Sequence, residues 1–326
     1  MRQGCAKMSP IDLATIGTSP DPLKEDAVHI GPLRRRGIAL GITVMAGALA
    51  LSACNAKTTT PGKKSALDTI KKNGKIVIAT DASYAPNEFK QNGQVVGFDV
   101  DLGGAIAQKL GVKAEFQDVK FDNILPALQS KKYDISLSSF TDNKQREQSF
   151  DFVTYFSAGT GLMVKAGNPL KLSPDDLSLC GKKVAVEKGT TQEDELTPKS
   201  SAKPDAGARV DKCKQGGKPA PVKVSLDDQN AANLALGNGR ADAVLADSPV
   251  AAYAAKESNG KFVIAGKAYD TAPYGIAIPK NENELRDAIQ KAVKDLIGDG
   301  TYKQLTDKWG ISDGGITDPK VNGATG

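Results

Sequence analysis

The 326-residue sequence predicts an α/β fold of two lobes, joined by two strands, with a cleft between them. Two observations lead to this fold. Strand-like and helix-like segments alternate along the chain, which is the pattern of a largely parallel sheet covered by helices. The alternation restarts after Gly161, and the last segments of the chain complete the first unit. The chain therefore passes twice between the lobes.

The first α/β unit precedes Gly161. Its order is strand, helix, strand, helix, strand, at residues 75–80, 98–111, 113–119, 121–131 and 133–139. In the first of these helices, apolar residues at four-residue spacing share one face, and the segment ends on a glycine, a common helix stop. We expect this helix to pack on the sheet.

The second unit repeats the alternation and is followed by the closing segments. Its strands and helices are expected at 182–187, 190–197, 221–225, 227–239, 241–246 and 247–257. A strand at 275–279 and helices at 281–300 and 301–310 come after them.

The N-terminal region is typical of an export signal. Three arginines at 34–36 precede an apolar run at 37–53 with small residues at its end. A retained membrane span is the alternative, because the run is long enough to cross a bilayer. Residues 51–54 resemble the lipobox of bacterial lipoproteins, which implies a signal peptide at 1–53 and a lipid on Cys54. Residues 54–66 are polar and predict a flexible tether.

Composition and charge exclude several functional classes. The chain is 40% apolar and 25% charged with a net charge of +5, which disfavours nucleic-acid binding. Its one histidine, His29, would leave with the signal peptide, so His-based catalysis and His-ligated metals are not expected. We predict no catalytic residues, metal or cofactor. Cys180 and Cys213 remain in an oxidising compartment, where a disulfide between them is expected to pin a poorly structured segment.

Charged, hydroxyl and aromatic residues collect where the predicted strands end. In open α/β sheets ligands bind beyond the carboxyl ends of the strands. The candidate binding residues are Asp81, Tyr84, Phe121, Ser139, Thr141, Arg146, Glu187, Thr191 and Asp247.

Each candidate has a structural alternative. Asp247 is suited to cap the following helix, and Thr190 with Glu193 fits a capping box. The aromatic residues are equally suited to the core, and a lone arginine is often a solvated surface charge. It is their joint placement that favours a binding site.

The motifs resemble those of the extracytoplasmic solute-binding proteins of polar amino-acid ABC importers (solute-binding family 3). The resemblance covers about residues 66–312. It rests on the segments GFDVDLGGAIA, TDASYAPNEF, FDNILPALQSKKYDISLSS, SFTDNKQREQSFDF, EKGTTQE, GRADAVLAD and GTYKQLTDKWG. It implies a type II periplasmic-binding-protein-like fold.

The resemblance also implies domain boundaries. Lobe 1 would comprise 67–160 and 270–313, lobe 2 would comprise 161–269, and 314–326 would be a C-terminal tail. The hinge strands would lie near 156–160 and 270–274.

Residue roles follow from the same resemblance. Arg146 would grip the α-carboxylate of an amino acid through both guanidinium nitrogens, a geometry that suits arginine better than lysine. Asp247 would take the α-ammonium group. Ser139, Thr141 and Thr191 would surround the ligand backbone. Asp81, Tyr84 and Phe121 would line the side-chain pocket.

We therefore expect a lipid-anchored, extracytoplasmic, monomeric binding protein that delivers a polar amino acid to an ABC permease with a cytoplasmic ATPase. Carboxylates at Asp81 and Glu187 favour a cationic side chain (arginine, lysine, ornithine or histidine), while glutamine, asparagine and glutamate stay open. A sensor domain and a dehydratase-like enzyme are the alternative functions, since fold alone does not decide function.

Overall fold

The structure is a computed structural model that describes residues 64–325. The predicted signal peptide, Cys54 and nearly all of the predicted tether lie outside the described residues. Within 64–325, no helix is long and apolar enough to cross a membrane.

The elements before the first crossing between the lobes confirm the predicted alternation and add a small sheet. They are α1 (Ala66–Asn73), β1 (Lys75–Thr80), β2 (Ser83–Tyr84), β3 (Glu88–Gln91), β4 (Gln94–Val96), α2 (Phe98–Leu110), β5 (Lys113–Asp118), α3 (Phe121–Gln129), β6 (Ile135–Ser136) and α4 (Lys144–Glu147). Strands β2, β3 and β4 form a separate three-stranded sheet that the sequence patterns did not reveal. Helix α2 ends as predicted at Gly111, whose φ of 75° is readily adopted by glycine.

The remaining elements begin with a strand of sixteen residues. They are β7 (Phe150–Lys165), β8 (Lys183–Glu187), α5 (Thr191–Glu195), α6 (Ala208–Gln215), β9 (Val222–Leu226), α7 (Gln229–Gly237), β10 (Ala243–Asp247), α8 (Ser248–Glu257), β11 (Phe262–Ile264), β12 (Tyr269–Pro279), α9 (Asn283–Gly298) and α10 (Thr301–Trp309), followed by a 3₁₀ turn at Ser312–Gly314.

One mixed sheet runs through both α/β units, in the order β5-β1-β6-β12-β7-β10-β8-β9, with β11 also on β7. The outer strands on each side are parallel to one another, whereas β12 and β7 are antiparallel. The first half of β7 pairs with β12, and its last residues pair with β10 and β11. The sheet was expected to be largely parallel, but it is mixed at its centre. The reason is that β7 carries the chain from the first unit to the second, and β12 carries it back in the opposite direction beside β7.

Separate apolar cores lie on the two sides of this central pair. On one side, the predicted face of α2 is buried through Leu102 and Ile106, which pack with the strands and with α9. On the other side, Val184, Val186 and Leu245 form a fully or almost fully buried cluster. Burial of these apolar surfaces is the main favourable term that holds each side together.

Two local predictions were wrong. The strand expected at 133–139 is only Ile135–Ser136, and Ser139, with a φ of 50°, lies outside the extended range of a strand. The segment between the cysteines was expected to be poorly structured, yet it contains α6, whose Arg209 is almost fully buried in an ion pair with Glu195. The predicted disulfide between Cys180 and Cys213 is confirmed.

Candidate functional site

A cavity of about 290 Å³ lies where the carboxyl ends of strands from both units converge. All nine residues predicted from the sequence line it, together with three that were not predicted: Asp81, Tyr84, Phe121, Ser139, Thr141, Arg146, Glu187, Thr191 and Asp247, then Glu88, Thr190 and Gln192. The nine residues that were predicted from their positions near strand ends therefore lie together around one cavity.

Arg146 is directed into this cavity and is not a solvated surface charge. Its guanidinium donates hydrogen bonds to the carbonyl oxygens of Thr141 (2.8 Å) and Gly189 (2.9 Å). The same group lies over the rings of Phe140 and Phe121, at 5.1 and 5.8 Å from their centroids. Burial lowers the pKa of Arg146, and neighbouring carboxylates oppose that shift. The guanidinium stays a cation because its starting pKa is so high.

Asp247 occupies the N-cap position of α8, but its side chain does not cap the helix. Its carboxylate makes no capping hydrogen bond. It accepts instead from the Tyr274 hydroxyl (2.7 Å) and from Gln192 Nε2 (2.8 Å). Its backbone N–H donates to the hydroxyl of Tyr84 at 3.1 Å, across the cleft. The carboxylate is thus oriented towards the cavity by side chains from several elements, and burial raises its pKa.

Two further carboxyl groups, Asp81 and Glu187, face the cavity from opposite units. Asp81 accepts a hydrogen bond from the backbone N–H of Phe121 at 2.9 Å, and its own N–H donates to Ser138 Oγ at 2.8 Å. Glu187 is 2% exposed, and its Oε1 atom is buried with no donor in the described part of the chain. Burial, and then the charge of Asp81, raise the pKa of Glu187 well above its ordinary value. Burial also raises the pKa of Asp81. These two side chains form the acid pocket, in which the Oε1 atom of Glu187 has no hydrogen-bond donor among the described residues.

Glu88, which lines the cavity, and Asp99 form a buried acid pair that the sequence patterns did not reveal. Glu88 accepts hydrogen bonds from the hydroxyls of Ser138 and Ser139, both at 3.2 Å. Asp99 accepts from the Tyr155 hydroxyl at 2.6 Å and from the Ser139 N–H at 3.0 Å. Burial raises the pKa of Asp99 to about 6, and burial with the neighbouring Asp99 charge raises that of Glu88 well above its ordinary value.

The N-terminus of α5 forms one wall of the cavity. The Thr190 hydroxyl accepts from the Glu193 N–H at 3.1 Å, as the capping-box prediction requires. The Glu193 carboxylate reaches back to the N–H of Gly189 at 2.9 Å, one residue earlier than in the usual box. Thr191, the first helical residue, is half-buried beside the opening.

The predicted aromatic residues are both core and lining. Tyr84 is 5% exposed and belongs to an apolar cluster, and Phe121 stacks on Phe140 with ring centroids 4.2 Å apart. The two interpretations that the sequence left open are therefore compatible.

Comparisons with known proteins agree with this architecture. Residues 76–312 match the family of bacterial extracellular solute-binding proteins, family 3. The arginine-binding protein ArgT of Corynebacterium glutamicum is 33% identical, over 78% of this chain and 80% of its own. The L-cystine-binding protein TcyJ of Escherichia coli K12 is 29% identical, over 74% of this chain and 85% of its own.

A solved structure of an ancestral arginine-binding protein bound to arginine is 38% identical and covers 72% of this chain and 98% of that chain, with a TM-score of 0.63. Such neighbours show that the fold is the type II periplasmic-binding-protein fold. Relatives of this kind act outside the cytoplasm, and they are binding proteins and not enzymes. The chain belongs to the bacterial extracellular solute-binding proteins of family 3.

Proposed function

We propose that this protein captures a free amino acid with a cationic side chain and delivers it to the permease of an ABC importer. The observation that carries the proposal is the composition of the cavity. A single guanidinium and the Asp247 carboxylate lie in the same cavity of about 290 Å³ as the buried carboxyl groups of Asp81 and Glu187. This set of charges is complementary to a zwitterion with one additional positive group.

The charged groups of the ligand backbone have partners from different units of the fold. Arg146 follows β6, and its planar fork matches a carboxylate in bidentate geometry. Asp247 ends β10 and is suited to an α-ammonium group. Thr141 and Thr191 border the same space from the two sides. A ligand held by opposite charges from the two units would draw them together.

The acid pocket supports the choice of a cationic side chain. Within residues 64–325, Glu187 Oε1 is buried without a donor. Such a group is unfavourable unless a donor or a positive charge reaches it. Arginine, lysine, ornithine and histidine each supply one. Relatives named for arginine support this choice, and the relative named for cystine marks the range of the family. Glutamine, asparagine and glutamate are the alternative ligands.

Delivery would proceed by closure of the two lobes, 67–160 with 270–313 against 161–269. The predicted hinge residues 156–160 and 270–274 fall within β7 and β12. Bending of two adjacent strands is a hinge motion that a ligand bound to both lobes would favour in the closed direction. A lipid on Cys54 would keep a monomeric protein at the membrane, beside the permease subunits.

Thermal unfolding of the protein from Lys57 onward tests the proposal. The protein is unfolded and refolded to remove carried ligand, then heated with each of the twenty amino acids, ornithine and citrulline. A ligand at a hundredfold excess over its Kd stabilises by about 2.7 kcal/mol and raises the midpoint by several degrees. A shift with a cationic amino acid is expected. A shift only with glutamine, asparagine or glutamate would overturn the assignment of the acid pocket, and no shift at all would overturn amino-acid binding.

A further inference from the structure

Residues 316–325, the C-terminal strap, lie along the first half of β7, beyond the region that matches the family. The carbonyl oxygen of Lys320 accepts from the N–H of Thr154, and the N–H of Lys320 donates to Thr154 Oγ1, both at 2.8 Å. The N–H of Asn322 donates to the carbonyl of Phe152, while Asn322 Oδ1 accepts the Phe152 N–H, both at 2.9 Å. The strap is thus added as a short antiparallel partner to β7.

The end of the strap binds the two carboxyl groups that flank Arg146 in the sequence. The N–H of Gly323 donates to Asp142 Oδ2 at 2.7 Å, and the N–H of Ala324 donates to Glu147 Oε1 at 3.1 Å. Asp142 lies before α4 and is 1% exposed, and Glu147 is the last residue of α4. The strap therefore holds both ends of the segment that carries the arginine.

Helix α4 needs such support because it has only four residues. One isolated helical turn is unstable, since forming it fixes several dihedral angles for one hydrogen bond. Within the segment, Asn143 Oδ1 accepts the Arg146 N–H at 2.9 Å, which caps the turn but does not attach it to the sheet. Its attachment to the sheet includes the hydrogen bond from the Asp142 N–H to the carbonyl of Pro273 at 2.8 Å, the bridge between Thr141 and Tyr274, and the contacts with the strap.

We infer that the C-terminal strap positions Arg146 in the cavity and is thereby a part of the ligand-binding machinery. This inference rests on the proposed function, because an effect of the strap on amino-acid affinity requires that the protein binds an amino acid. A strap that only covered the free edge of β7 would affect stability alone, since an uncovered edge strand is open to other pairings.

Gly323→Ala is the test substitution because a methyl group there has no room. An ideal Cβ would lie 2.8 Å from Thr154 Cγ2 and 3.1 Å from Lys320 Cβ. Rotating the Thr154 side chain away would break its hydrogen bond with the Lys320 N–H, so the strap is expected to shift. Thr154→Ser removes the methyl group and keeps that oxygen, and it serves alone as the matched control and in the double variant as the rescue.

The measurement is the Kd for L-arginine, with L-glutamine as a second probe, by calorimetry at a temperature where every variant is folded. Gly323→Ala is expected to weaken binding about tenfold, Thr154→Ser to leave it unchanged, and the double variant to regain most of the loss. In an Arg146→Lys background the Gly323→Ala effect should shrink, because coupled positions are not additive.

The outcomes separate the two ideas. A Gly323→Ala protein with a lower Tm and an unchanged Kd would overturn the positioning role and leave amino-acid binding intact. An undiminished Gly323→Ala effect in the Arg146→Lys background would also overturn it, because the strap would then act through another residue. If the parent protein binds no amino acid, the proposed function fails and the inference fails with it.

Discussion

Glu187→Gln isolates the contribution of the acid pocket to ligand choice. The substitution preserves the size of the side chain and removes a buried carboxyl group beside Asp81. The Oε1 atom of this group accepts no hydrogen bond from the residues that the structure describes. Two unit charges 4 Å apart attract by about 4 kcal/mol at an effective dielectric constant near 20. Truncating one partner of a buried charge pair usually costs about 2 kcal/mol or more. We therefore expect arginine binding to weaken by about 2–4 kcal/mol, or roughly 30- to 900-fold in Kd.

The pH dependence gives a second, more specific signature of Glu187. Burial, and then the charge of Asp81, raise the pKa of Glu187 well above its ordinary value. A cationic side chain favours the carboxylate and expels its proton. Arginine binding should therefore release protons and tighten as pH rises towards the pKa of the free protein. The same raised pKa stabilises the fold at low pH and loses that contribution as pH rises, so Glu187→Gln should become more stable relative to the parent protein in alkaline solution.

Calorimetry of arginine binding in two buffers with different ionisation enthalpies measures the proton count directly. The parent protein should release protons when arginine binds, and Glu187→Gln should release fewer, with a remainder from Asp81. Glu115→Gln is the matched control, because Glu115 lies on β5, away from the cavity, and forms a solvent-accessible ion pair with Lys75 of β1. Equal proton release in the parent protein and Glu187→Gln, or equal arginine affinity, would refute the assignment.

Two further predictions concern the other end of the cavity and the buried acid pair. Arg146→Ala should weaken amino-acid binding by about 2–5 kcal/mol while the far-ultraviolet circular dichroism is preserved, because the guanidinium is the only cationic group lining the cavity among the described residues. Arg240→Ala is the control, because Arg240 is exposed. An unchanged amino-acid affinity in Arg146→Ala would contradict the assignment of Arg146 to the binding site. In the parent protein, the unfolding free energy should fall as pH rises from about 4 to above 6, because Glu88 and Asp99 both have raised pKa values and the folded state binds protons that the unfolded state has released. Glu88→Gln should reduce this fall by about 1 kcal/mol or more in urea unfolding, and an identical slope would show that the pair does not share a proton.

The placement of the cavity residues was predictable within each unit because it follows from strand geometry. The carboxyl ends of the parallel strands of one unit meet at one edge, so polar residues after those strands lie close together. Glu187 and Asp247 end the parallel strands β8 and β10, whereas Asp81 follows β1 of the other unit, which runs antiparallel to them. The meeting of the two groups at one cavity is a property of the tertiary structure. The prediction of alternating strands and helices, and that of an N-terminal export signal, likewise depended only on local sequence.

What the residues do within the cavity depended on contacts between distant parts of the chain. Whether Asp247 capped a helix or faced the cavity was decided by Tyr274 and Gln192, which reach it from other elements. The pairing of Glu88 with Asp99 likewise depends on burial, which a local pattern of charges does not encode.

By itself, the sequence determined the α/β class, the restart that makes two units, the disulfide partners and nine of the twelve residues around the cavity. Tertiary structure alone decided the mixed centre of the sheet, the short β6, the buried acid pair and the docking of the C-terminal strap on β7. The physical reason is that periodicity and turn signals are local, whereas hydrogen-bond satisfaction and burial are settled by neighbours far away in the chain. For Arg146 this means that the residue was recognisable from its sequence, while its surroundings, from Gly189 to the strap, were visible only in the folded protein.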